Sequence, residues 1–467
     1  MDRSGDGSEP VTDPGPVKIL GGGLAGCEAA WQLAERGERV LLYEQKPHKR
    51  TPAQISDHLA ELVCSNSFRS SSPENAVGLI KEEMARLGSL ILSCGELARV
   101  PAGDAFAVDR DVFAAAVTDR VRSHPRIEVV EGEVTELPPD GDVIIATGPL
   151  TTEGLADRLR EFTGSDSLYF YDSIAPILDA ESLDRSVIYA LSRYGKGEGA
   201  DYLNCPMDAE TYGRFHDALV SAERVPLRDF EKPRYFEGCL PVEVMAERGV
   251  DTLRFGPMKP VGLPDPRTGE IPHAVVQLRK ENKAGTAWNM VGFQTKLKYP
   301  EQARVFRMIP GLESVEFLRM GSIHRNTFIH SPCLLDPGNC LLSEPRLRFA
   351  GQITGVEGYV ESTASGLLTA LYLLGDRRGE PIRTPPATTA LGAMMGHVQG
   401  SGSGDFQPQN VNFGLFPALE HRVKKRERKA AYAARARVDF GEWLRGLAVQ
   451  PLATADAKNE EAPSQVA

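Results

Sequence analysis

A glycine-rich turn near the N-terminus constrains this chain more than any other feature. Gly21-Gly22-Gly23-Leu24-Ala25-Gly26 follows the apolar run Val17 to Leu20 and opens a helical pattern from Ala25 to Arg36, with Ala29, Ala30 and Leu33 on one face. Gly37 stops that helix, and Val40-Leu41-Leu42-Tyr43-Glu44 reads as a second strand, ending in an acid 18 residues beyond Gly26. Glycines at this spacing permit a tight turn and close backbone approach of a pyrophosphate, whose charge then faces the helix N-terminus. Glu44 is placed to hold ribose hydroxyls. The pattern predicts a βαβ dinucleotide-binding unit with Gly21, Gly22, Gly23, Leu24, Ala25, Gly26 and Glu44 at the ligand.

The turn alone does not choose between a flavin and a nicotinamide dinucleotide. Two later segments favour FAD. Val143-Ile144-Ile145-Ala146-Thr147-Gly148 is an apolar strand ending in Ala-Thr-Gly, and Phe349-Ala350-Gly351-Gln352 repeats a strand-then-glycine pattern before a helix of small and apolar residues from Ser362 to Leu374. Both resemble nucleotide motifs of two-dinucleotide flavoproteins, which places Gly148 and Gly351 at the cofactor. Between them, from about 190 to 325, short strands such as Ala274 to Leu278 and Asn289 to Phe293 alternate with Pro/Gly loops. The expected fold is α/β: a discontinuous Rossmann-type FAD-binding domain over 17–190 and 325–445, with an inserted α+β domain over 191–324. Residues 1–16 are expected to form a flexible leader and 451–467 a flexible tail. Val77 to Leu92 reads as a single amphipathic helix.

Composition excludes some classes. The chain has 467 residues, enough for two domains, and no apolar run long enough to cross a membrane. The N-terminus lacks the apolar stretch of a secretory signal, so a cytoplasmic location is expected, with no membrane contact and no protein partner. The seven cysteines are never spaced C-x-x-C, which argues against a disulfide framework and against a zinc site, and no metal is expected. The net charge of −11 opposes a polyanionic partner, yet Arg422, Lys424, Lys425, Arg426, Arg428, Lys429, Arg435 and Arg437 crowd one segment against Glu427 alone. That segment reads first as a solvated helix face and second as a phosphate contact.

Further polar clusters offer chemistry. Val63-Cys64-Ser65-Asn66-Ser67 sets a cysteine in a polar loop, where a structural and a reactive thiol are equally consistent with the residues. Phe236-Glu237-Gly238-Cys239-Leu240-Pro241-Val242-Glu243 gives a thiol room for a substrate, although the flanking carboxylates oppose a thiolate and favour a structural cysteine. His324-Arg325-Asn326-Thr327 joins a ring, a cation and an amide, Trp288 reads as core or as a stacking surface, and Lys259 lies in the stiff loop Gly256 to Gly262.

Together these stretches, with Arg-Val-Pro-Ala-Gly, Ala-Asp-Tyr-Leu-Asn-Cys-Pro-Met, Gly-Phe-Gln-Thr and Gly-Val-Glu-Gly-Tyr, run in order from about 17 to 440. They resemble the folate- and FAD-dependent tRNA (uracil-5-)-methyltransferase family, TrmFO or Gid. The resemblance implies methylation at C5 of the T-loop uridine of tRNA. Its carbon would come from methylenetetrahydrofolate and its electrons from reduced FAD, replenished by NADPH or NADH. It further implies that Cys239 adds to C6 of the base and that Cys64 is a second catalytic cysteine, in proton removal. By the same resemblance, Gly355, Glu357, Gly358 and Tyr359 lie near the flavin. His324 stacks on the folate, and Arg325, Asn326, Trp288 and Lys259 line the folate and substrate site. The basic residues Lys424, Lys425, Arg426, Arg428 and Lys429 then become RNA contacts. The same chemistry on ribosomal RNA, and a flavin oxidoreductase acting on small molecules, are the alternatives. Phe68 and Gly22 depart from residues common in the family, leucine and alanine.

Overall fold

In the computed structural model, strand Val17–Leu20 lies at the centre of a six-stranded sheet. The structure describes residues 14–51, 53–163, 168–197, 199–226, 240–400, 406–447 and 452; for 162–163, 168–172, 324 and 325 it describes the backbone. The sheet runs in the order Cys340–Leu341, Glu344–Phe349, Val143–Ile145, Val17–Leu20, Val40–Glu44, Ile127–Glu131. All neighbours are parallel except the first pair. Val17, Ile19, Val143, Ile144 and Ile145 are fully buried, as a parallel sheet covered on both faces requires. Two of its strands come from the far end of the chain, so segments more than two hundred residues apart build one sheet.

Helix Leu24–Ala34 packs against helix Tyr359–Arg377, which is buried along most of its length. Contact is possible because Gly366 has no side chain: a Cβ there would sit 2.2 Å from the carbonyl oxygen of Ala25. At its far end Arg377 pairs with Glu38 and Asp142, both at 2.7 Å, and so ties the helix to the entries of two strands.

The segment expected to be one helix over Val77 to Leu92 is two, Ala76–Arg86 and Leu90–Leu97. Gly88 adopts φ +76 between them, and Ser89 caps the second helix by accepting from the Leu92 amide. The buried Glu28 carboxylate completes the break, accepting from Ser89 Oγ and from the amides of Leu90 and Ile91. A local glycine and a remote acid together override the apolar periodicity.

A second six-stranded sheet has the order Tyr189–Ala190, Tyr202–Met207, Ala274–Lys280, Ala287–Met290, Ile177–Asp179, Phe317–Arg319, antiparallel throughout. Two of its strands, Ile177–Asp179 and Tyr189–Ala190, precede residue 191. One face packs on helices Ala209–Ser221, Val242–Glu247 and Tyr299–Phe306 around Phe215, Phe293 and Phe306. Strands Leu168–Ile174 and Ser322–Phe328 pair with each other and carry the chain between this region and the first sheet. No described helix is long and apolar enough to cross a membrane.

Candidate functional site: two joined cavities

The first cleft opens at the carboxyl ends of the parallel strands, beside the glycine turn, where ligands bind in open α/β sheets. Gly21 adopts φ +107, and a Cβ on it would meet the Ala146 carbonyl oxygen at 2.5 Å, so only glycine can pass between the two strands. The Glu44 carboxylate accepts from the amides of Gly22 and Lys46, each at 3.0 Å, and pins the turn. Helix Leu24–Ala34 starts at Gly23 without a side-chain cap and with no acid in its first turn, and the space beside Gly23 is empty. Its amide donors therefore face the cleft with the positive end of the helix dipole behind them. These features fit a dinucleotide pyrophosphate. Gly21, Gly22, Gly23, Leu24, Ala25, Glu44, Gly148, Gly351 and Tyr359 all line this cleft. Gly26 does not: it lies within the helix, where a Cβ would strike the Gly21 carbonyl oxygen.

A second cavity of about 320 Å³ adjoins it. Val63, Pro149, Leu150, Gln352 and Tyr359 line both, so the two form one continuous space. Cys64, Asn326, Glu357 and Gly358 line this second cavity. The Cys64 loop is held by the Tyr359 hydroxyl, which accepts from the Cys64 and Ser65 amides. The half-buried Cys64 thiol points towards the Ser173 carbonyl at 3.8 Å. Burial, then the neighbouring Cys64, push the Tyr359 phenol up, so it stays protonated.

Other expected residues lie elsewhere. Trp288 is buried in the core of the second sheet, with Nε1 donating to the Gly285 carbonyl at 3.0 Å and Arg185 over its ring. The alternation of strand Ala287–Met290 turns Asn289, not Trp288, to the cavity. Lys259 does not line the cavity either; its carbonyl accepts from Arg193. Gly355, expected near the flavin, lines neither cavity; a Cβ on it would meet the Phe406 ring at 2.3 Å, so this glycine serves packing. His324 and Arg325 sit on strand Ser322–Phe328, paired with Asp172 and Tyr171, but their side chains fall outside the described residues. Cys239 also lies outside them. The described chain resumes at Leu240, and the Val242 amide donates at 2.7 Å to the carbonyl of Gln294, a cavity residue.

Sequence reading missed several cavity residues. Arg69 reaches in from strand Ser67–Ser70 and pairs with the fully buried Glu361, which also accepts from the Val411 amide. Arg279 and Asn289 come from neighbouring strands of the second sheet. A charge at Arg279 directly after the strand pattern Ala274 to Leu278 was the one signal available.

The basic segment is only partly helical. Helix Arg428–Arg445 starts after Lys424, Lys425 and Arg426, which are exposed on the stretch leading into it. Lys429 donates to Asn75, and Arg437 is occupied by Glu82. Lys424, Lys425 and Arg428 have no ion pair among the described residues.

Cleft and cavity define a dinucleotide-binding α/β protein of the flavoprotein type, with a second ligand space opening on the cofactor cleft. The family model for glucose inhibited division protein A matches residues 16–381. Two relatives, both methylenetetrahydrofolate–tRNA-(uracil-5-)-methyltransferase TrmFO, are similar over 92% of this chain and 99% of their own: that of Geobacter sulfurreducens at 61% identity and that of Geotalea uraniireducens at 58%. This chain belongs to that family. The structure of Aquifex aeolicus GidA shares its fold, with a TM-score of 0.67 at 16% identity, covering 95% of this chain and 75% of that one.

Proposed function

We infer that this protein methylates C5 of a uridine in tRNA, the T-loop uridine, with methylenetetrahydrofolate as carbon donor and reduced FAD as reductant. The observation that carries this reading is the shared wall of the two cavities, which brings a cysteine loop and a cofactor cleft into one space. The second cavity, at about 320 Å³, falls within the roughly 300–1,000 Å³ of a small-ligand pocket, and its opening onto the cofactor cleft suits a base set beside the cofactor. The net reaction replaces the C5 hydrogen by a methyl group, releases tetrahydrofolate and leaves oxidised FAD, which NADPH or NADH reduces again.

Bound FAD supplies the electrons; the rest of the chemistry falls to the chain. C5 of uridine is a poor nucleophile until a thiolate adds at C6. Cys239 takes that role on its motif, supported by the nearby Val242, whose amide donates to the carbonyl of the cavity residue Gln294. Cys64 removes the C5 proton once the carbon is attached, a role supported by its place in the cavity wall and by the anchoring of its loop on Tyr359. His324 provides a ring for the folate. A uridine inside folded tRNA must be extruded to enter the cavity. Lys424, Lys425, Arg426, Arg428 and Lys429 offer the phosphate contacts that would hold the RNA while this happens.

The test is direct. Purified protein is incubated with an unmodified tRNA transcript, methylenetetrahydrofolate and NADPH, and the RNA is digested for nucleoside analysis. 5-Methyluridine is the expected product. Product on ribosomal RNA and none on tRNA would overturn the substrate.

A further inference from the structure

We propose that Arg279 and Asn289 form the subsite that reads the uracil ring, with Arg279 donating to the carbonyl oxygen at C4. The proposal rests on the function inferred above. The two residues are direct cross-strand partners in the register of Ala274–Lys280 against Ala287–Met290, so their side chains emerge side by side on one face of the sheet. Both line the second cavity, and both are more than nine-tenths buried.

Arg279 is held rigidly. Its Nε donates to Asn66 Oδ1 and its Nη2 to Ser65 Oγ, each at 3.0 Å. Asn66 is itself fixed by donating to the carbonyls of Val108 and Lys280. The same loop carries Cys64, so the guanidinium and the thiol are set by one short segment. Two nearby arginines have carboxylates, Arg69 with Glu361 and Arg110 with Glu281, and a third, Arg319, donates to the Ala53 carbonyl. Arg279 pairs with no carboxylate among the described residues, and the Asn289 Nδ2 has no hydrogen-bond partner among them. A buried cation and a buried amide left this way carry a desolvation cost that a ligand would offset.

The chemistry of a matching ligand follows from what the pair offers. Guanidinium only donates, and a carboxamide both donates and accepts. An acceptor beside a donor–acceptor edge matches the C4 carbonyl, N3–H and C2 carbonyl of uracil. Cytosine would turn an amino group to the guanidinium and is rejected. The same contact strengthens during reaction. When a thiolate forms the bond to C6, the C5–C6 π pair shifts into an enolate whose charge rests on the C4 oxygen. A fixed donor there stabilises the charge as it develops.

Steady-state kinetics of Arg279→Met, Arg279→Lys and Asn289→Ala test this. For R279M, kcat on tRNA is expected to fall about a hundredfold, with FAD content and KM for methylenetetrahydrofolate unchanged. R279K should recover part of the loss. N289A, which leaves the cation in place, should lose kcat/KM for RNA by roughly tenfold. Retention of kcat by R279M, or a loss confined to KM for the folate, overturns the proposal; the latter would assign the pair to the folate. Should the wild-type protein make no 5-methyluridine, the functional reading falls separately. Equilibrium dialysis of uridine monophosphate against wild type and R279M then decides the subsite, and equal or absent binding overturns it.

Discussion

The hydroxyl of Tyr359 accepts hydrogen bonds from the amides of Cys64, at 2.7 Å, and Ser65, at 3.0 Å. Tyr359 opens the long helix Tyr359–Arg377 on the cofactor side, and Cys64 belongs to the loop before strand Ser67–Ser70. One phenol thus fixes the cysteine loop against the cleft.

Tyr359→Phe is expected to orphan two amide donors at once. The cost should be about 1–3 kcal/mol of stability, read as a lower urea midpoint. Methylation should fall further than stability explains, because the Cys64 loop loses its anchor. Unchanged activity at a lowered midpoint would separate the loop's position from the chemistry.

Lys81 gives a pH signature. It donates to the carbonyls of Phe68 and Ser70, on the strand that carries Arg69 to the cavity. Burial, then the charges of Arg69 and Arg99, lower its pKa from 10.5 to about 7. The folded protein therefore sheds this proton while the unfolded chain still holds it, and stability rises with pH across the window from about 7 to 10.5. Lys81→Met removes this dependence. Unfolding midpoints of wild type should climb relative to the variant as pH rises through that window; parallel curves would contradict it.

Gly21→Ala places a Cβ against the Ala146 carbonyl at a backbone conformation that suits only glycine. Strain of order 1–3 kcal/mol and a displaced turn should leave the protein without FAD. Flavin absorbance of the purified variant, relative to its protein absorbance, measures this.

Charge reversal of Lys424, Lys425 and Arg426 should weaken tRNA binding. It should also flatten its dependence on salt, by roughly one unit of slope for each phosphate that the protein no longer neutralises. Filter binding across a salt series reads both. An unchanged slope would remove these residues from the RNA interface.

The nucleotide cleft is legible in the sequence because its rules are local. Gly21 to Gly26 and Glu44 lie within one βαβ unit, and Val143 to Gly148 ends in the same signal at the adjacent strand. Spacing in the chain is spacing in space there. The break at Gly88 reads as continuous helix because the acid that completes it, Glu28, acts from a different helix.

Sequence by itself determined the βαβ turn, the family resemblance and the cysteine motifs. Tertiary structure decided which side chains share the second cavity. Arg69 meets Glu361, and Arg279 meets Asn289, only through sheet register and helix docking. Trp288 and Asn289 are adjacent in sequence, yet one enters the core and the other faces the cavity. The physical reason is the two-residue period of a strand: register sets its phase, and register is a property of the folded sheet.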